Sequence, residues 1–94
     1  MMIVDFQRHE VRLDGREVFL TKREWQLLAV LTKKPGHLVT HDAIFSEFYG
    51  EAAEEIETRG VSQHMSRLRR KIGPENIKTE PSFGFKFVGR VRVR

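Results

Sequence analysis

The spacing of apolar and polar residues changes period along the chain. From Ile3 to Leu20 it is two: Val4 and Phe6, Val11 and Leu13, and Val18 and Leu20 are separated by polar neighbours. Short strands with one buried face have that pattern. Asp14-Gly15 lies between two of these runs. A two-residue hairpin turn needs positive φ at both central positions, so the pair predicts an antiparallel hairpin within residues 1–20. Arg8, His9, Glu10, Arg12, Arg16 and Glu17 read as the solvent face of this sheet.

The period then lengthens. Thr21-Lys22-Arg23-Glu24 has the capping-box form, a hydroxyl residue followed three later by Glu, and predicts a helix over 21–34. Trp25, Leu27, Leu28, Ala29, Val30 and Leu31 make it apolar over most of its circumference, a buried central helix with Trp25 as a core anchor. It ends near Lys33-Lys34, before Pro35-Gly36. Leu38 and Val39 suit a brief strand. Thr40 then caps a second helix over 40–49, with Asp42 in its first turn and Ala43, Ile44, Phe48 and the Glu47 methylenes turned inward.

A third helix is expected over 58–72, TRGVSQHMSRLRRKI. At about 100° per residue, Val61, Met65, Leu68 and Ile72 form one narrow stripe, and Arg59, Gln63, Ser66 and Arg70 lie opposite. Arg67, Arg69 and Lys71 add charge along the flanks, and His64 falls near the core side. Uncharged hydrogen-bonding side chains among arginines suit a nucleic-acid major groove. A solvated amphipathic helix has a similar pattern, and the stretch alone slightly favours that reading. Gly73-Pro74 ends the helix. A hairpin over 77–88 follows, with Phe83, Phe85 and Phe87 on one face, Lys86 on the other and Phe83 nearest the tip at Ser82. In the tail, Arg90, Arg92 and Arg94 alternate with Val91 and Val93, as a basic-faced edge strand or a frayed end.

Composition narrows the function classes. A chain of 94 residues makes one domain with a single modest core. It has no cysteine, hence no disulfide framework, thiolate nucleophile or Cys-based zinc site. His37 and His41 are four apart, but the helix begins only at Thr40, so they share no helical face and no metal is expected. Without a nucleophile motif or a glycine-rich phosphate loop, neither an enzyme nor a cofactor is expected. No apolar run approaches the roughly 18 residues of a membrane span, and no signal-peptide core opens the chain, so a cytoplasmic protein is expected. A net charge of +4 and a pI near 9.9 favour a polyanionic partner. The exception is residues 50–57, where Glu51, Glu54, Glu55 and Glu57 occur with no basic residue. These would repel phosphate, as a solvated loop or as a docking loop for a basic protein.

Two helices joined by a short connection and followed by a basic helix give a helix-turn-helix order. The segments LTKREWQLLAVLTKKPGHLVTHDAIFSEFYG, TRGVSQHMSRLRRKI and IKTEPSFGFKF resemble the winged-helix output domain of OmpR/PhoB-type response regulators over nearly the whole chain. The most specific piece is the SRLRRKI end of the basic helix, preceded by Arg59, Val61 and His64 at the family's positions. The fold class implied is α+β, a winged helix-turn-helix with an N-terminal antiparallel sheet, three helices and a C-terminal hairpin wing.

The resemblance implies double-stranded DNA as partner, bound as tandem subunits on repeated half-sites. Positions matching Gln63, Ser66 and Arg67 face base edges, while those matching Arg59 and Arg69 or Arg70 hold phosphates. Arg67 suits a guanine and Gln63 an adenine, each good pair giving roughly 1–3 kcal/mol of discrimination. Two positions depart from the family. Gln63 stands where many members carry an apolar or branched residue. The wing reads Pro81-Ser82-Phe83-Gly84-Phe85-Lys86-Phe87 where the family has Arg-Gly-x-Gly-Tyr-Arg-Phe, so Pro81 replaces the arginine that enters the minor groove. Lys86 still offers a phosphate contact, and Phe83 is expected on a sugar or a neighbouring subunit. Residues 49–57 match the loop through which family members touch RNA polymerase, often its sigma subunit. A receiver domain has no counterpart in these residues. The expectation is therefore an output domain of a longer regulator or a differently regulated relative, with membrane-tethered ToxR-type regulators as another source. A winged helix used for protein contacts is the rival, distinguished by weak DNA binding without a preferred site.

Overall fold

A computed structural model describes residues 1–49 and 58–94, with side chains through residue 48 and from residue 61. At the N-terminus, β1 (Met2–Asp5) pairs antiparallel with β2 (Glu10–Leu13), which pairs with β3 (Arg16–Val18). The turn between the last two has φ of 51° at Asp14 and 86° at Gly15, as the Asp-Gly pair predicts. Met2, Val4 and Val11 fill the inner face. The fourth strand comes from the other end of the chain. The tail forms β7 (Val91–Val93), an edge strand running parallel to β1, so the sheet order is β3-β2-β1-β7 and the sheet is mixed rather than wholly antiparallel.

Against this sheet lies α1 (Lys22–Thr32). Its capping box is complete: the Glu24 amide donates to Thr21 Oγ1 at 3.3 Å, and the Thr21 amide donates back to Glu24 Oε1 at 3.1 Å. Such a cap contributes on the order of 1 kcal/mol. Next come β4 (Leu38–Thr40) and α2 (His41–Tyr49), whose first turn is closed by the Ala43 amide donating to Thr40 Oγ1 at 3.1 Å. The helix α3 (Thr58–Ile72) ends at Gly73, whose φ of 99° turns the chain into a short 3-10 turn. The wing is β5 (Ile77–Glu80) and β6 (Gly84–Phe87), and β4 adds to it in a three-stranded sheet of order β4-β6-β5. The architecture is the α+β winged helix-turn-helix expected. Leu27, Leu28, Leu31, Ile44, Leu68 and Phe87 form its shared core.

Several side chains depart from the periodic reading. Ala43 is exposed, and partly buried Phe45 takes the inward place beside Ile44 and Phe48. The three phenylalanines of the hairpin do not share a face. Phe85 and Phe87, two apart on β6, both pack toward the core, Phe87 buried and Phe85 half-buried, whereas the turn at Ser82, with φ of 70°, interrupts the alternation before them and leaves Phe83 exposed at the tip. Gly84 is required where β6 lies close beside β4, because a Cβ there would overlap the Val39 carbonyl oxygen. His9 does not stand free on the solvent face; it stacks on Trp25 with ring centroids 4.4 Å apart, while Phe6 meets the indole edge-on at 5.5 Å. Trp25 thus anchors the margin of the core.

Glu24 carries the largest departure. It is 1% exposed, and besides capping α1 it accepts a 2.6 Å hydrogen bond from Lys71 Nζ in the last turn of α3. Lys71 also donates to the Phe19 carbonyl at 2.9 Å. A residue read as flank charge is therefore drawn inward to join α1 to α3. Burial alone would raise the Glu24 pKa, but the bonds from Lys71 and Thr21 outweigh it and hold the carboxyl below its ordinary 4.5. The stabilisation is complete above 4.5 and is lost as the pH falls through the lower folded value.

Removing Lys71 leaves a buried carboxylate short of its cation. Lys71→Ala is expected to cost about 2–3 kcal/mol in urea unfolding, at the low end for a buried pair because the lysine is half in solvent. Glu24→Gln with Lys71→Ala should recover part of that loss, and the double variant should lose the Glu24 share of the acid-side fall in stability. An unchanged urea midpoint in the single variant would show that the pair contributes nothing.

Candidate nucleic-acid interface

The interface is built on α3 and fixed by the stripe beneath it. Val61, Met65, Leu68 and Ile72 are buried against α1 and its neighbours. Burial of side chains of this size contributes about 1.5–3 kcal/mol each, enough to set the helix's rotation. That rotation leaves Gln63, Ser66, Arg67 and Arg70 exposed together, presenting an amide, a hydroxyl and two guanidinium groups. The side chain of Arg59 and the residues Glu51, Glu54 and Glu55 lie outside the described residues.

The other predicted cations have different surroundings. Arg69 turns towards the wing, where Nη2 donates to the Ile77 carbonyl at 3.3 Å and to Thr79 Oγ1. Its guanidinium lies 5.4 Å from the Phe85 ring centroid. It therefore fastens α3 to β5. Nε of the same group is buried without a hydrogen-bond partner. Lys86 Nζ is 3.4 Å from Glu80, which also pairs with Lys78 at 3.5 Å. The charges of Lys78 and then Lys86 hold the Glu80 carboxyl below its ordinary range. Lys78 is the more exposed of the two lysines and pairs directly across from Lys86 in the ladder. Its place was available in the sequence from the strand register, once the turn at 81–83 is known.

Phe83 is 66% exposed at the wing tip. Its backbone is fixed at both ends: its amide donates to the Glu80 carbonyl at 3.0 Å, and the His41 amide at the start of α2 donates to its carbonyl at 3.2 Å. A groove of about 530 Å³ runs between α3 and the wing, bordered by Ser62, Ser66, Arg70, Pro74 and Thr79. His64 sits on the core side, edge-on to Phe48 at 5.8 Å. The Phe48 carbonyl accepts from Arg23 at 2.6 Å, with the same guanidinium 4.9 Å from the Phe48 ring centroid, which pins α2 to α1.

The family model described as transcriptional regulatory protein, C terminal, matches residues 15–87. The chain is 39% identical over 85 residues to the transcriptional regulatory protein CseB of Streptomyces coelicolor, covering 88% of this chain and 35% of that protein. It is 30% identical over 82 residues to the response regulator protein PmrA of Pseudomonas aeruginosa, covering 87% and 37%. The chain thus spans little more than a third of the length of these relatives. Among solved structures it resembles the DNA-binding domain of Bacillus subtilis CssR, with a TM-score of 0.78, 28% identity, and 94% of this chain and all of that one covered. The Klebsiella pneumoniae RstA DNA-binding domain, in complex with RstA box, gives the same TM-score and identity over 90% of this chain and 88% of that one.

Arg69→Ala is expected to loosen the wing from α3, costing about 1–3 kcal/mol locally from the lost charge-assisted bonds and ring contact. Hydrogen exchange at the β5 amides should speed up while α1 amides stay protected. Arg69→Lys should rescue only part of it, since one ammonium can serve both acceptors as the single Nη2 does but cannot lay a planar guanidinium on the Phe85 ring. Equal exchange at β5 in Arg69→Ala and the parent would show that the tether is idle.

Proposed function

The chain belongs to the family of C-terminal domains of transcriptional regulatory proteins, and from that membership we propose that it binds double-stranded DNA sequence-specifically as the reading domain of a bacterial regulator. The observation that carries this is the exposed face of α3, where Gln63, Ser66 and Arg67 stand clear above four buried residues. A helix presenting mixed hydrogen-bonding groups fits the width and donor-acceptor pattern of the B-form major groove. The relationship to a domain solved with its DNA box supports the same reading.

In this proposal Gln63 pairs with an adenine, Arg67 with a guanine, and Ser66 hydrogen-bonds a base edge between them. Arg70 and Arg59 hold phosphates, fixing register without reading sequence. Arg69 acts mainly by holding the wing in place, and Lys86 with Lys78 brings a phosphate contact tempered by Glu80. Phe83 packs its ring on a deoxyribose where the family's arginine would enter the minor groove. Tandem subunits on repeated half-sites are part of the proposal, as is docking of Glu51, Glu54 and Glu55 on a basic surface of RNA polymerase. A cytoplasmic location follows from the DNA partner; among the described residues no helix is long and apolar enough to cross a membrane.

Selection of bound sequences from random DNA tests the base readers. The parent is expected to yield a repeated half-site, and Gln63→Ala and Arg67→Ala should each relax one position by roughly 1–3 kcal/mol. Phe83→Ala should weaken binding without altering the major-groove positions. Unchanged preferences in both α3 variants would remove the assignment, and a parent that selects no sequence would favour a protein-contact role.

A further inference from the structure

The tail strand β7 lies beyond the residues that match the family model, on the side of the molecule built by the N-terminal sheet. It is an edge: among the described residues nothing pairs with its outer side. Its inner ladder uses every second residue. The Arg90 and Arg94 carbonyls accept from Met2 and Phe6, and the Arg94 amide donates to Val4. In a parallel ladder the intervening residues point their N–H and C=O the other way, so Val91 and Val93 present unpaired donors and acceptors along an open edge.

The two faces of that edge differ in chemistry. Val91 and Val93 share the inner face with their ladder partners Met2 and Val4, and they line a groove of about 610 Å³ with Phe6, Val30 and Pro35. Val93 is 43% exposed. Arg90, Arg92 and Arg94 alternate with the valines and so take the outer face, about 6.6 Å apart along the strand. No carboxylate among the described residues pairs with any of them. The nearby Asp5 and Glu10 engage Arg8 instead, through its amide at 3.0 Å and its guanidinium at 3.9 Å.

We propose that β7 receives an added strand from a partner protein, an extended segment in which acidic residues facing the three arginines alternate with apolar residues entering the groove. Open backbone groups supply the affinity and the two faces supply the selectivity, as in other strand-addition sites. A second copy's β7 does not fit. Antiparallel pairing of two such edges sets arginine against arginine on one face, and like charges directly opposite destabilise a pair.

The probe is a fluorescein-labelled peptide of about ten residues with alternating Glu and Val, titrated by anisotropy against the 94-residue chain. Saturable binding is expected. It should weaken by about tenfold or more when the peptide's edge-facing amides are N-methylated, when Lys replaces Glu in the peptide, and when the protein carries Arg92→Glu. The Lys/Val peptide should in turn bind Arg90→Glu/Arg92→Glu better than it binds the parent. Undiminished binding of the N-methylated peptide would reduce the effect to charge attraction and overturn strand addition. Absence of saturable binding by the Glu/Val peptide, or self-association of the chain through β7, would overturn it equally.

Discussion

A single buried carboxylate connects the first turn of α1 to the last turn of α3. Glu24 closes the capping box of the central helix and, from the same oxygen, accepts the ammonium of Lys71. Its burial forbids it from standing unpaired, since an isolated charge at 1% exposure would cost several kcal/mol. The pairing therefore constrains more than the two residues. It fixes the C-terminal end of α3 against α1, while Val61, Met65, Leu68 and Ile72 fix its rotation, and together they determine which side chains reach outward. Arg23, one residue before Glu24, does the same for α2 through Phe48. The first turn of α1 is thus the reference point for both helices of the helix-turn-helix pair.

The cations near α3 divide into two groups as a result. Lys71 and Arg69 are engaged within the protein, one with Glu24 and Phe19, the other with β5 and Phe85. Arg67 and Arg70 remain on the exposed face with Gln63 and Ser66. Net charge does not distinguish these roles. Position on the helix does, because a basic residue on the flank, roughly 100° round the helix from the exposed centre as Arg69 and Lys71 are, can fold back to an acceptor on a neighbouring element. Long stems make this easy, since lysine and arginine cover apolar surface while their heads reach for partners.

Much of the fold was legible because it rests on local chemistry. The Asp-Gly turn, the Thr21–Glu24 box, the Thr40 cap and the Gly73 stop each act within a few residues, and each lies where its residues predict. The apolar stripe of α3 was legible for the same reason. What escaped depends on contacts distant in sequence. The Glu24–Lys71 pair spans 47 positions. The Arg69 tether requires knowing that β5 returns beside α3, and the parallel pairing of β7 with β1 joins opposite ends of the chain. Phe83 was misplaced on the aromatic face because period-two counting ran through the turn at Ser82, although its nearness to the tip had marked it.

Packing, not charge, decides which basic residues of α3 are left free to meet phosphate in the proposed DNA complex. The salt dependence of DNA affinity tests it most directly, because each phosphate neutralised adds about 0.9 to the slope of log K against log salt on duplex DNA. Arg70→Ala is expected to lower that slope by about 1, whereas Lys71→Ala, measured where the variant is still folded, should leave it unchanged. Equal reductions in the two variants would show that charge alone, not packing, selects the phosphate contacts.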